Sequence, residues 1–402
     1  MRPFDGARIC LGVTGGIASY KTVFLARLLT QAGAQVDVVL SRAAREFVGA
    51  ITFEAVTGRP VHTELIAEGR ALDHLKLARE AQLVVVAPAT ADFLARAAAG
   101  QADDLLTAVL LATRSPVLLA PAMNDKMWGH AQVQANAAHL RTLGYQVLDP
   151  DVGPLASPTE GAGAGRMPEP EVIQAEIARM LEPRGPLAGR HVVVTAGPTR
   201  EPVDPVRFLS NRSSGRMGVA LAAAAHRRGA RVTLVHGPLE VPLPHGARPV
   251  AVETTAEMAD AVRHALGDAD VLVMAAAPAD FTAAAPAAQK LKKEQAPDAI
   301  ALARTVDILK ATREARRPGT VVVGFALETE HVEAHARGKL EAKGLDLVVA
   351  NDATEPGAGF GTTTNRVTLI GRDGAATPVP LASKDAVADV ILDRVEGLLD
   401  GR

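Results

Sequence analysis

The chain has 402 residues, a formal net charge of -2 and 48% hydrophobic residues, enough for two or three domains, each with its own core. No net basic field draws in nucleic acid, and aromatics at 3% offer few platforms for stacked bases. The lone cysteine, Cys10, excludes an internal disulfide or a cysteine-based zinc cluster, and the lack of a signal-like start or of any run of about 18 apolar residues predicts a cytoplasmic protein without a membrane span.

Arg8 to Val13 reads as a short apolar strand, broken by Thr14-Gly15-Gly16. Residues 17–32 carry Ile17, Tyr20, Val23, Phe24 and Leu28 at helical spacing and stop at Gly33. Strands are expected over 35–40, 83–87 and 117–120, the last two ending in Pro88-Ala89-Thr90 and Pro121-Ala122-Met123-Asn124. Strands alternating with helices predict a parallel sheet covered on both faces. Residues 149–170 are rich in Gly and Pro and lack periodicity, so they read as either a lid over a site or a disordered segment. A helix over 171–181 follows, and Glu182-Pro183-Arg184-Gly185-Pro186 is the expected domain boundary.

A second β-α-β series then begins, with a strand over 191–195, a long loop over 196–214, a helix from Gly215 to Arg228 and a strand over 231–235. Further strands are expected over 271–275, 321–325 and 345–350. Residues 366–370 and 376–381 flank Asp373-Gly374 as a hairpin, and a helix closes the chain. The chain holds ten lysines, half of them in two short windows, Lys290, Lys292 and Lys293, then Lys339 and Lys343. Charge alone makes these a solvated face.

The first turn, GVTGGIASYK, lacks both the G-x-G-x-x-G spacing and an acidic residue at the end of the second strand, where Ser41-Arg42 stand. Small hydroxyls and amides opening a helix suit a mononucleotide such as FMN better than NAD. A glycine pair at any tight strand-to-helix turn would look the same. In order come GVTGGIASYK (Gly12 to Lys21), HLKLAR (His74 to Arg79), APATADFLARAAAGQADDLL (Ala87 to Leu106) and APAMNDKMW (Ala120 to Trp128). This series resembles the flavoprotein cysteine decarboxylases, the phosphopantothenoylcysteine decarboxylases in particular. HVVVTAGPTREPVDPVRFLSNRSSGRMG (His191 to Gly218), AAAPADF (Ala275 to Phe281), KLKK (Lys290 to Lys293), GFALET (Gly324 to Thr329) and DLVVAND (Asp346 to Asp352) resemble the bacterial phosphopantothenate–cysteine ligases.

The resemblance implies an α/β protein of two Rossmann-like domains, each with a mainly parallel sheet. A flavodoxin-like, FMN-binding decarboxylase domain would span 1–182 and a nucleotide-binding ligase domain 187–402. It implies CTP- and Mg²⁺-dependent joining of 4′-phosphopantothenate to L-cysteine through an acyl-cytidylate, then FMN-dependent decarboxylation to 4′-phosphopantetheine. The homo-oligomer would combine decarboxylase trimers with ligase dimers, placing flavin sites at subunit interfaces. By motif match His74 is the active-site histidine and Asn124 holds the substrate carboxylate. Thr14, Gly15, Gly16, Ser41 and Thr90 contact FMN, with Met123 packed near it. In the ligase half Asn211 stabilises the acyl-cytidylate, and Ser213 and Ser214 open a helix toward a phosphate. Asp280, Val306, Asp307, Ile308, Leu309 and Phe325 match the nucleotide pocket. Lys290, Lys339 and Lys343 match phosphate contacts, Lys292 and Lys293 are solvated, and no residue is assigned to the metal.

Without the motifs, His74 is a structural histidine, Asn124 a turn residue, and Ser213 and Ser214 an ordinary N-cap. One departure stands out: the resembled decarboxylases often carry a cysteine in the Gly-rich flap, and this flap has none. Cys10, in the first strand, reads as inert core. Glu160, the only acidic side chain between Ser157 and Arg166, or a water trapped by the flap, is the expected substitute as proton donor. The alternatives are a ligase whose flavin domain is inactive or releases the enethiol, and a flavin-binding regulatory protein.

Overall fold

The structure is a computed structural model and describes residues 2–401 other than 67, 293–298, 329, 353 and 360. Lys293 and Thr329, both within motifs read from the sequence, lie outside the described residues. The chain divides into two compact units, Met1–Pro183 and Arg184–Arg402.

In the first unit the elements run β1 (Arg8–Val13), α1 (Ser19–Gln31), β2 (Gln35–Leu40), α2 (Ala50–Thr57), α3 (Asp73–Glu80), β3 (Leu83–Ala89), α4 (Ala91–Ala98) and α5 (Leu105–Ala112). Then follow β4 (Val117–Pro121), α6 (Asp125–Trp128), α7 (Ala131–Thr142), β5 (Gln146–Val147), β6 (Asp151–Pro154), β7 (Ala162–Arg166) and α8 (Pro170–Leu181). The sheet order is β2-β1-β3-β4-β5, all parallel. This is the flavodoxin-like winding, whose direction reverses between β1 and β3. Ile9, Leu11, Val38, Val85 and Leu118 pack on one face with α1 and α8. Cys10, Val39, Val84, Val86 and Leu119 pack on the other. Both faces being buried is why these strands read as unbroken apolar runs.

The helix expected over 17–32 is found at Ser19–Gln31, but the apolar residues that signal it are not its buried face. The buried side of α1 is Ser19, Thr22, Leu25, Ala26 and Leu29, whereas Ile17, Tyr20 and Phe24 are 60%, 53% and 58% exposed. Ser19 and Thr22 can turn inward because their hydroxyls bond carbonyls of Gly16 (2.6 Å) and Ala87 (2.7 Å). Of the two readings of residues 149–170, the disordered segment falls away: the segment is regular and lines a cavity. β6 and β7 pair antiparallel as a hairpin, with one short 3₁₀ turn, Pro158–Glu160, at its tip.

In the second unit come β8 (His191–Ala196), β9 (Arg200–Pro202), β10 (Phe208–Ser210), α9 (Arg216–Arg227), β11 (Arg231–His236), β12 (Ala247–Ala251), α10 (Thr255–Ala265) and β13 (Val271–Met274). They continue with β14 (Phe281–Ala283), β15 (Leu302–Arg304), α11 (Ile308–Ala311), β16 (Val321–Glu328), α12 (Val332–Lys343), β17 (Leu347–Asp352), β18 (Thr364–Gly371), β19 (Ala376–Ser383) and α13 (Lys384–Asp400). The sheet order is β12-β11-β8-β13-β16-β17-β18-β19, parallel up to β17 and antiparallel beyond it. The winding reverses between β8 and β13, which opens a second crevice at the carboxyl ends of the strands. The β18–β19 hairpin turns at Asp373-Gly374, with Gly374 at φ 75°.

The helix expected over Gly215 to Arg228 is found at Arg216–Arg227, but the serines before it do not open it. Its N-cap is Gly215, in the left-handed region at φ 78°, and neither serine caps it. Ser213 instead accepts from the Gly215 amide (3.3 Å), and Ser214 is buried. With Gly215 in the cap position, the two serines belong to the loop.

Candidate active sites

At the β1/β3 reversal lies a cavity of about 1420 Å³. Its wall includes Gly15 and Gly16 after β1, Ser41 and Arg42 after β2, Thr90 after β3, Met123 and Asn124 after β4, and Leu155, Glu160 and Gly165 of the hairpin. A Cβ on Gly15 would sit 2.3 Å from the Ala43 side chain, so glycine alone lets this turn close. Ser19 Oγ donates toward the carbonyls of Gly16 and Thr14, holding both inward. The amides of Gly15, Gly16, Ile17 and Ala18 find no acceptor among the described residues. Such a run of unpaired N–H groups opening a 13-residue helix is suited to a phosphate. A flavin mononucleotide fits this wall in chemistry: anion-binding amides at one end, Met123 and small residues elsewhere.

Thr14 supports the wall from behind. It is buried, donates to the Pro88 carbonyl (2.7 Å) and accepts from the Thr90 amide (3.2 Å). Thr90 in turn caps α4 by accepting from Phe93 (3.3 Å). Asn124 caps α6: its Oδ1 accepts from the Lys126 amide (3.0 Å). That bond turns Nδ2 toward the hairpin, where it donates to Glu160 Oε2 at 2.9 Å. β7 seats the hairpin, with the Met123 amide donating to the Gly165 carbonyl (3.0 Å). A Cβ on Gly165 would stand 2.2 Å from the Met123 carbonyl oxygen, and one on Gly163 2.5 Å from Asp125 Cβ. Gly163 and Gly165 are therefore a packing requirement.

His74 is not in this wall. It sits on α3, with Nδ1 buried and without a hydrogen-bond partner among the described residues. The motif reading also passed over Arg96, which the cavity exposes. Its guanidinium meets Asp92 (3.1 Å), Asp103 (3.1 Å) and Asp104 (2.7 Å). Burial disfavours its charge, but the three carboxylates more than offset that and hold its pKa above the ordinary arginine value. The signal was the Asp103-Asp104 pair seven and eight residues downstream. Cys10 is wholly buried; burial first, and Asp37 second, push its thiol up to about 12.

A second cavity, of about 570 Å³, opens past the ends of β13 and β16, one strand over from the reversal, and is lined by Ala276, Asp280, Phe281, Val306, Asp307, Ile308, Leu309, Phe325, Lys339 and Lys343 among others. Lys339 and Lys343, one turn apart on α12, point into it together. Lys339 Nζ donates to the Phe325 carbonyl (2.5 Å), and Lys343 pairs with Asp307. Burial lowers the pKa of both amines, against the pull of nearby carboxylates, including Asp280. The turn carrying Asp280 rests on a buried network missed in the sequence. Thr199 Oγ1 accepts from the Ala279 amide (2.9 Å), Thr305 donates to the Ala279 carbonyl (2.6 Å), and Glu201 accepts from the amide and hydroxyl of Thr255 (both 2.8 Å).

Asn211, Ser213, Ser214 and Lys290 stand outside this wall. Asn211 Nδ2 donates to the carbonyls of Ala277 (3.1 Å) and Pro278 (3.0 Å), which fixes it beside the turn that enters the cavity. Lys290 and Lys292 are exposed. Their neighbour Leu291 is held from two sides: its amide donates to Asp204 Oδ2 (3.2 Å) and its carbonyl accepts from Arg207 (3.1 Å). Asp204 Oδ1 also accepts from the amides of Val206 (2.8 Å) and Arg207 (2.9 Å). Burial alone would raise its pKa; these N–H groups outweigh that and keep it below the ordinary carboxylate range.

Residues 2–182 match the family described as Flavoprotein, and residues 187–398 the family described as DNA/pantothenate metabolism flavoprotein C-terminal domain. The coenzyme A biosynthesis bifunctional protein CoaBC of Vibrio vulnificus (strain YJ016) is 42% identical over 403 residues, covering 99% of this chain and 100% of that protein. The protein of that name from Mycobacterium tuberculosis (strain H37Rv) is 46% identical over 409 residues, with 98% and 97% covered. That from Bacillus subtilis (strain 168) is 44% identical over 397 residues, with 98% of each covered. The chain belongs to the bifunctional coenzyme A biosynthesis family. The family's two parts fall on the two units that carry the cavities, so the amide-walled crevice is in the flavoprotein part and the lysine-walled crevice in the other.

Proposed function

We propose that this chain converts 4′-phosphopantothenate and L-cysteine to 4′-phosphopantetheine in two reactions, ligation and then decarboxylation. The observation that carries the reading is full-length membership of the family, with 98% or more of the chain covered by relatives. Residues 187–402 would activate the carboxylate of 4′-phosphopantothenate with CTP as an acyl-cytidylate, which the amine of cysteine opens with loss of CMP. Residues 1–182 would decarboxylate the product with FMN. The work belongs in the cytoplasm; no described helix is long and apolar enough to cross a membrane.

In the ligase half, negative charge builds on the nucleotide phosphates and must be balanced. Lys339 and Lys343 would do so from α12 and Lys290 from its loop, with Mg²⁺ arriving on the nucleotide. Asp280, Val306, Asp307, Ile308, Leu309 and Phe325 would hold the nucleoside. Asn211 would donate to the acyl-cytidylate, and Ser213 and Ser214 would face a phosphate from the loop.

In the flavin half, FMN supplies a sink that takes up and returns an electron pair, allowing a carboxylate next to no carbonyl to leave as carbon dioxide. The amides of residues 15–18 would hold its phosphate, Thr14, Ser41 and Thr90 would shape the wall, and Met123 would pack beside the ring. Asn124 would orient the substrate carboxylate without protonating it. His74 would handle the thiol proton. Its absence from the wall of its own chain's cavity supports a decarboxylase trimer in which each flavin site takes His74 from a second copy. Exposed Ile17, Tyr20 and Phe24, the first two of which line the cavity, supply an apolar surface for that contact. Exposed Phe208, Phe281 and Leu302 would serve the ligase dimer.

The test is mass spectrometry of products from purified protein given FMN, Mg²⁺, CTP, L-cysteine and 4′-phosphopantothenate. 4′-Phosphopantetheine with CMP and pyrophosphate is expected. Absence of any amide product overturns the reading, and accumulation of phosphopantothenoylcysteine would restrict it to the ligase.

A further inference from the structure

We propose that Glu160 is the acid that protonates the carbon from which carbon dioxide departs, and that the arriving substrate carboxylate itself loads Glu160 with the proton. This deepens the decarboxylase reading and rests on it. The proton is required by the balance of the reaction. Carbon dioxide leaves when the bond between the cysteine α-carbon and its carboxylate breaks, and the electron pair stays on the substrate. That carbon becomes a methylene only by gaining a proton. The electron pair lent to the flavin returns at the end, so the net change is substrate plus one proton giving product and carbon dioxide.

Few groups in the cavity can supply that proton. Cys10 is wholly buried in β1, outside the wall. Asp92, Asp103 and Asp104 are all committed to Arg96. Lys21 is paired with Glu169 (2.7 Å), as is Arg166 (3.0 Å). Tyr20 on α1 and Glu46 after β2 also line the cavity, with no bond to Asn124; Glu160 differs in meeting the Asn124 amide, at 2.9 Å. That bond uses Oε2 and leaves Oε1 able to carry a proton. Solvent reaches Glu160 at the hairpin tip, so it can be recharged.

The geometry also couples binding to protonation. Asn124 Oδ1 is held by the Lys126 amide, so Nδ2 is the only part of the side chain left to offer a carboxylate. A substrate carboxylate arriving there meets Glu160 on the same amide. Nδ2 has two N–H groups, so both carboxyl groups can accept from it, but held that close their like charges favour the uptake of one proton. The other charged groups at this corner are Asp125 and Lys126 on α6 and Arg166 on β7, the last paired with Glu169. Asp125 adds to the pressure for proton uptake, and Lys126 works against it.

The experiment uses the FMN-loaded full chain. Phosphopantothenoylserine, which carries the carboxylate but no thiol to oxidise, is titrated calorimetrically near neutral pH in buffers of different ionisation heat. About one proton taken up per site is expected for the parent protein and none for Glu160→Gln, with FMN content unchanged by absorbance. With the true substrate, Glu160→Gln should shift product from thiol toward enethiol by about a hundredfold, the scale of a lost general acid. Glu160→Asp should recover part of the thiol, and Ser157→Ala should behave as the parent. Parent-level thiol formation by Glu160→Gln, or proton uptake that survives the substitution, overturns the assignment. A parent protein that releases no carbon dioxide at all fails the decarboxylase reading instead.

Discussion

The cavity at the ends of β1 and β3 offers its contents the backbone amides of residues 15–18, whereas the cavity beside β13 and β16 offers the amines of Lys339 and Lys343. The first sits where its sheet reverses, between β1 and β3, and the second opens one strand over from its sheet's reversal, past the ends of β13 and β16. The material of the wall differs. Amides do not titrate and no single substitution removes them. Lysines can be deleted, and when buried they lose charge at lower pH. The amide-walled cavity also lacks His74 within one chain, while the lysines of the other come from its own α12.

The largest effect should come from His74→Asn, expected to cost the decarboxylation about 10² to 10⁴ in rate while leaving ligation intact, as separate assays would reveal. Mixing that variant with Asn124→Ala subunits, unfolded and reassembled together, should restore part of the activity, because hybrid oligomers contain some complete sites. No recovery would mean that His74 serves its own chain's cavity.

Lys339→Ala should lower ligase kcat/KM by about a hundredfold, as for a lost transition-state donor. Burial holds the Lys339 pKa below 10.5. Nucleotide affinity should therefore fall as pH rises through that lowered value, and Lys339→Arg should flatten the fall. FMN affinity, resting on amides, should stay level over the same range. Stability has the opposite sign. In the window between the lowered pKa and 10.5 the unfolded chain binds the extra proton, so this lysine makes the fold more stable as pH rises.

Gly165→Ala should cost about 1–3 kcal/mol in seating the hairpin, because the new methyl meets the Met123 carbonyl. Decarboxylation should drop roughly tenfold with ligation unaffected, on the exchange of about 1.4 kcal/mol per factor of ten. Asp204→Asn should be milder still, raising the KM for CTP about threefold with kcat held, since one of the bonds tying down the Lys290 loop weakens. The smallest effect is at Cys10. With its thiol pushed up to about 12, it should resist alkylation at pH 8 in the folded protein and react fully once urea unfolds it.

Much of the fold was legible in the chain. The apolar, β-branched run Leu83 to Val86 reads as a strand buried on both faces, and Asp373-Gly374 between 366–370 and 376–381 reads as a hairpin turn, as the structure has them. Other features misled for physical reasons. The apolar spacing of Ile17, Tyr20 and Phe24 is that of a core face, yet the inward positions go to Ser19 and Thr22, whose hydroxyls find carbonyls that sequence periodicity cannot see. Ser213 and Ser214 have the composition of a cap, but the left-handed Gly215 takes that position. Gly163 and Gly165 of the flap follow no period because they are placed by contact with residues 123–125, a constraint from another part of the chain.

The sequence by itself determined the two β-α-β series, the break near residue 183 and the identity of the chemical groups, because local periodicity and short motifs depend on neighbours along the chain. Only the tertiary structure decided which of those groups meet. It joined Asn124 to Glu160 across 36 positions, bound Leu291 to Asp204 across 87, and left His74 away from the cavity its motif had promised. Such pairings depend on strand order and on the packing of one loop against another, and no spacing in the chain records them.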